Sequence, residues 1–162
     1  MVHNSQRLSL RSDGQLARGT FRKPTENHAA DGWDLIALCP QLDHNSLYCE
    51  LPLVTDFSGS CVLVEHGGAV IGWLSAYRRP SDRSTLFIWQ IAVYPEVHST
   101  DLGKEVIVSA LNRPPCEGVT HIEATETLGN WAPDCSSQLC SGPGRRQSGK
   151  FSGSTTWPIS RD

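Results

Sequence analysis

With 162 residues, 38% hydrophobic and 19% charged, the chain can bury one core and is not of disordered composition. A net charge of −3 leaves no basic footprint for nucleic acid, and no apolar run approaches the ~18 residues a membrane helix needs. The N-terminus lacks an apolar signal core, so the expected compartment is the cytoplasm.

Residues 1–19 are polar and without period, which reads as a flexible leader. Thr20-Phe21-Arg22-Lys23-Pro24 predicts a short first strand, ended by the proline. Thr25 then opens a helix with Trp33, Ile36 and Ala37 on one face, and Pro40 stops it. In the polar patch Leu42-Asp43-His44-Asn45-Ser46-Leu47-Tyr48, Asp43 or Asn45 could cap a second helix running through Tyr48 to Val54.

Gly59-Ser60-Cys61-Val62-Leu63-Val64-Glu65 reads as a strand, His66-Gly67-Gly68 as a hairpin turn, and residues 69–77 as the returning strand. After a polar loop, Leu86-Phe87-Ile88-Trp89-Gln90-Ile91-Ala92-Val93 completes an antiparallel meander. This most apolar run predicts a strand buried on both faces, with one buried amide, Gln90, that must find hydrogen bonds. A helix is expected over 105–112 and one more strand over 118–125. From Trp131 the chain turns rich in Ser, Gly and Pro, so 131–162 is expected to be irregular. The six cysteines contain no Cys-x-x-Cys pair and no histidine at zinc-finger spacing; they read as reduced thiols filling the core, and no metal is expected.

This order of elements resembles the GCN5-related N-acetyltransferases. The resemblance implies an α/β (α+β) fold, with a mixed, mostly antiparallel sheet and flanking helices. Over about Phe21 to Asn130 the chain is similar to the branch of that family that acetylates L-2,4-diaminobutyrate in ectoine synthesis. The similarity is carried by Phe21-Arg22-Lys23-Pro24-Thr25, Leu42-Asp43-x-Asn45-Ser46-x-Tyr48, Cys61-Val62 with the Gly72 hairpin, Phe87-x-Trp89-Gln90-Ile91-x-Val93 and Glu123-x-Thr125. It implies a leader over 1–19, an N-acetyltransferase-like domain over 20–130 and an irregular tail beyond.

The resemblance also implies the site. Asp43, Tyr48 and Trp89 match substrate-pocket positions; a carboxylate and a ring face both suit an ammonium group. Backbone amides at Ile91 and Val93 would face the acetyl group of acetyl-CoA. Leu102, Gly103 and Lys104 would hold its pyrophosphate at a helix N-terminus, with Asn130 completing the cofactor contacts. The branch's pyrophosphate loop runs Arg/Gln-x-x-Gly-x-Gly/Ala. This chain has His98-Ser99-Thr100-Asp101-Leu102-Gly103, so a carboxylate stands where a glycine would. After Asn130 the resembled fold continues with a helix and a closing strand that the written tail does not show. Back-translated two nucleotides out of register, Asp134-Cys135 and its successors give an apolar, helix-like pattern, so a shifted frame is the expected cause.

The implied reaction is acetyl transfer from acetyl-CoA to the γ-amine of L-2,4-diaminobutyrate, with no general base or acid assigned. Three alternatives remain at this point: acetylation of another amine on the same fold, a catalytically inactive fragment or interaction module, and a metal-binding module, against which the cysteine spacing argues. The substrate is a small molecule, no nucleic-acid or membrane partner is expected, and a homodimer is left open.

Overall fold

The computed structural model describes residues 19–40, 42–43, 45–97, 101–126 and 153–159. Its strands are β1 (Thr20–Arg22), β2 (Val62–His66), β3 (Ala69–Arg78), β4 (Thr85–Val93), β5 (His121–Glu126) and β6 (Gly153–Pro158). They form one sheet in the order β1-β2-β3-β4-β5-β6. Every neighbouring pair is antiparallel except β4 and β5, which run parallel. The helices are α1 (Ala29–Ala37), α2 (Leu47–Val54) and α3 (Leu102–Leu111).

The β2–β3 hairpin follows from Gly67 and Gly68. Their φ angles of 59° and 81° make the two-residue left-handed turn that matches strand twist, with His66 opposite Ala69. Helices cover both faces of the sheet. On one, Val106, Ile107 and Ala110 of α3 pack on Val62, Val64, Leu74, Leu86 and Ile88. On the other, Leu35 and Ile36 of α1 and Val54 of α2 pack around Leu63, Trp73 and Ala92. Gly32 lets α1 sit directly on the Trp73 indole: a Cβ there would lie 2.6 Å from two ring atoms. The buried stripe of α1 is Ala29, Gly32, Leu35 and Ile36, at helical spacing; Ala37, expected on it, is exposed.

Two expectations need correction. Asp43 and Asn45 do not cap α2: its N-cap is Ser46, in extended backbone. They precede the helix by four and two residues, which puts them in the connection that the site below uses. The segment 131–162 is not irregular throughout, because β6 pairs with β5 from His121↔Pro158 to Glu126↔Gly153. The edge of β5 that a missing strand would leave open is therefore covered. The local reason is Thr155-Thr156-Trp157, β-branched and aromatic residues beside an edge of otherwise unpaired amides and carbonyls. Ile159 follows, packs against the α3-side core and donates its N–H to the Thr120 carbonyl at 2.9 Å. The proposed shift of reading frame concerns residues that lie mostly outside those described.

Candidate active site

The site is built around an irregularity in β4. Ala76 pairs with Ile88, and the next pair is Ser75 with Gln90, so Trp89 is an extra residue with no partner on β3. Such a bulge reverses which residues face which side. Before it, Leu86 and Ile88 enter the α3-side core; after it, Ile91 and Val93 do, while Ala92 joins the α1 side. The expectation that this strand is buried on both faces fails for the same reason. Phe87 is half-buried and Trp89 is 41% exposed. Trp89 ends a row of rings, Phe57–Tyr77–Phe87–Trp89, with centroids 5.5, 5.3 and 6.5 Å apart.

At the bulge the parallel strands part. The β4–β5 register ends at Ile88↔Ala124, whereas β4 stays paired to β3 as far as Val93. Amides alternate in direction along a strand. The Tyr94 N–H donates to the Ile71 carbonyl at 2.9 Å, toward β3. The Ile91 and Val93 amides therefore point the other way, into the opening between β4 and β5. The Val93 carbonyl, on that same side, accepts the Cys39 thiol at 3.6 Å. Burial pushes this thiol's pKa up, an effect the Val93 contact partly offsets.

Gln90 ties a second element to this strand. Its Nε2 donates to the Asp43 carbonyl at 2.7 Å. The Trp33 indole N–H donates to the Asn45 carbonyl at 2.8 Å, and the Asn45 N–H to Asp43 at 3.0 Å. The α1–α2 connection is thus pinned from α1 and from β4, and the exposed Asp43 is held over the bulge that carries Trp89. The amide nitrogen of the buried Gln90 finds its partner here.

Of the sequence-predicted residues, the structure brings Asp43, Trp89, Ile91 and Val93 to the opened end of β4. Tyr48 stands in the first turn of α2 and is 82% exposed. Leu102, Gly103 and Lys104 form the first turn of α3, which follows β4; Asp101, exposed, is its N-cap and accepts the Glu105 N–H at 2.9 Å. His98 and Asn130 lie outside the described residues. Among those described, no three His, Cys, Asp or Glu side chains group as metal ligands. Three of the four described cysteines, Cys39, Cys61 and Cys116, are buried.

Sequence reasoning missed Glu50. It sits on the inner face of α2 with Leu53 and Val54 and is 0% exposed. The signal was available: at i−3 and i−4 from two core residues, an acid falls on the apolar stripe. Burial raises its pKa; Trp73 and Ser75 stand near enough to offset part of this, yet neither closes a hydrogen bond to it.

A mixed sheet whose one parallel pair splays at a bulge, with a helix N-terminus following the splayed strand, is the architecture of the coenzyme-A-dependent N-acyltransferases. Comparison with known proteins agrees. The profile of the acetyltransferase (GNAT) family matches residues 27–132, and the chain belongs to that family. The L-2,4-diaminobutyric acid acetyltransferase of Vibrio cholerae is 36% identical over 112 residues, covering 69% of this chain and 65% of the relative. That of Halomonas elongata is also 36% identical, over 116 residues and 59% of its length. The match thus spans somewhat under two thirds of these relatives. The diaminobutyrate acetyltransferase of Paenibacillus lautus, solved with L-2,4-diaminobutyric acid and coenzyme A, superposes with a TM-score of 0.68 at 25% identity. That superposition covers 86% of this chain and 93% of the other. No described helix is long and apolar enough to cross a membrane.

Proposed function

We propose that this chain transfers the acetyl group of acetyl-CoA to the γ-amine of L-2,4-diaminobutyrate, in the cytoplasm, as a step toward a compatible solute such as ectoine. The observation that carries the reading is the juxtaposition at the β4 bulge. Gln90 holds the Asp43 connection against the strand that exposes Trp89 on one side of the bulge and aims two amides into the cleft on the other. The similarity to diaminobutyrate acetyltransferases supports it.

Acetyl-CoA supplies an activated thioester. The Ile91 and Val93 N–H groups suit its carbonyl, because their direction leaves them available where negative charge develops as an amine attacks. Preorganised donors in a partly desolvated cleft cost no reorganisation at that moment. The first turn of α3, with Gly103 and Lys104, suits the pyrophosphate through the helix dipole and one cation. The Asp43 carboxylate and Trp89 ring would take an ammonium group of the diamine by charge-assisted pairing and cation–π contact. With one amine anchored, the other is held near the thioester, and proximity supplies much of the acceleration. The attacking nitrogen must first lose a proton. Tyr48 enters this reading as a residue at the mouth of the pocket, and Asn130 as a cofactor contact.

The test is kinetic. Asp43→Asn and Trp89→Ala should raise the diaminobutyrate KM about ten- to a hundredfold while moving the acetyl-CoA KM little, since losing one partner of a charged pair costs ~1.5–3 kcal/mol. Equal shifts for both substrates would sink the assignment, and a faster reaction with another amine would redirect it. A second reading, a chain that binds acetyl-CoA too weakly to turn over, is favoured by one observation: the Asp101 carboxylate stands at the N-cap where the pyrophosphate is expected.

A further inference from the structure

Four buried side-chain polar atoms have no hydrogen-bond partner among the described residues: Glu50 Oε1 and Oε2, Trp73 Nε1 and Gln90 Oε1. They share one region. Ser75 and Gln90 are direct cross-strand partners, Trp73 lies two residues from Ser75 on the same face, and Glu50 stands over both Trp73 and Ser75. Buried polar atoms left without partners are costly, so a set that can satisfy itself is expected to do so. With Glu50 ionised these four atoms cannot: they hold three acceptors and a single donor, the Trp73 N–H, and the neighbouring Ser75 hydroxyl donates to the Gln90 backbone carbonyl at 3.5 Å. One proton on the carboxyl balances it. The Trp73 N–H then serves one Glu50 oxygen, and the acid O–H serves the Gln90 carbonyl oxygen.

We propose that Glu50 is a positioning residue of the amine pocket: as a neutral acid it donates to Gln90 Oε1, and Gln90, held from behind, fixes the Asp43 carbonyl through its Nε2. The chain of contacts runs from the inside of α2, across β4, to the connection that carries Asp43. Its last link is seen directly, at 2.7 Å. The direction of the Glu50 pKa agrees, since burial favours the uncharged form. The titratable group that feels Glu50 is the Cys61 thiol, itself raised to about 11, with Arg113 beyond it. Its shift keeps that thiol neutral over the range where Glu50 would titrate. The kinetic consequence rests on the reading of Asp43 as an ammonium contact; the network itself does not.

Glu50→Leu removes the donor at similar volume, Glu50→Met is a second apolar variant should the first fold poorly, and Glu50→Gln restores a neutral donor. In the apolar variants, amide hydrogen exchange over 42–46 should speed up about tenfold, and the diaminobutyrate KM should rise about tenfold with the acetyl-CoA KM within about twofold. Glu50→Gln should recover most of both effects. Wild-type stability, measured against Glu50→Gln, should also fall as pH rises. A carboxyl raised above its ordinary 4.5 in the folded state stabilises fully below that value and loses the contribution as pH climbs through the folded pKa. Parallel stability curves for the two would overturn the neutral acid. Equal loss in Glu50→Gln and Glu50→Leu, or no change of exchange in either apolar variant, would overturn the positioning role. A wild-type chain that acetylates no diamine, yet shows the exchange and stability pattern, would sink the assigned substrate and leave the network standing.

Discussion

Replacing Gly32 by alanine tests whether α1 is seated rigidly enough to position the site. The added Cβ would fall 2.6 Å from Trp73 Cδ2 and Cε2 and 2.7 Å from Cε3. Carbon atoms in contact prefer about 3.5–4.0 Å, so the overlap is about 1 Å against a flat, stiff ring. Trp73 is 0% exposed and packed with Leu63 and Ala92, so the ring has little room to retreat. Overpacking costs about 1–3 kcal/mol, and so deep an overlap with a ring that cannot retreat belongs in the upper part, about 2–3, of which the better helix propensity of alanine returns about 1. The net loss of about 1–2 kcal/mol corresponds to a fall in Tm of about 2–8 °C for a chain of this size. Because α1 also holds the Asn45 carbonyl through Trp33, the diaminobutyrate KM should rise with it. Differential scanning calorimetry and steady-state kinetics on the same preparation would measure both. An unchanged or higher Tm would refute the reasoning: α1 could then lift off Trp73 at no cost, and the Trp33 contact could not be what fixes the connection.

Two other outcomes follow. His98→Arg combined with Asp101→Gly should tighten acetyl-CoA binding measured by calorimetry, since it adds a cation and removes a carboxylate at the start of α3; unchanged affinity would clear Asp101 of weakening the site. Truncation before residue 153 removes β6 and uncovers the outer edge of β5, so the shortened chain should aggregate and lose its cooperative melt, whereas an unaltered melt would mean that β6 contributes nothing to the sheet.

The elements most legible in the sequence were those whose local chemistry and tertiary setting agree. Val62 to Val64 and Ile71 to Tyr77 read as strands because aromatic and β-branched residues fill them, and Gly67-Gly68 read as their turn because few other residues take two successive left-handed φ values. The motif around Asp43 and Trp89 points to the opened end of β4 as the candidate site. What stayed hidden depends on register. Phe87-Ile88-Trp89-Gln90-Ile91 reads as an apolar run broken only by Gln90, and nothing local says that Trp89 is unpaired and turned toward solvent. β6 was missed because three strand-forming residues amid Ser and Gly make a strand only where a waiting edge completes it. Glu50 was passed over because composition treats an acid in a short helix as surface, while its burial is set by Leu53 and Val54 on the next turn.

The bulge at Trp89 also constrains how this chain can change. Substitutions at the site leave the rest of the strand in place, and so does loss of the one unpaired residue, but an added residue does not. Deleting Trp89 would close the bulge with Gln90 still opposite Ser75 and both faces kept, whereas inserting one residue after it would exchange the faces downstream, sending Ala92 toward α3 and Ile91 and Val93 toward α1. The amides now aimed into the cleft would be turned to β3 by that insertion. Any change in what the cleft accepts must therefore proceed by exchanging side chains, with insertions confined to connections such as the polar loop between β3 and β4.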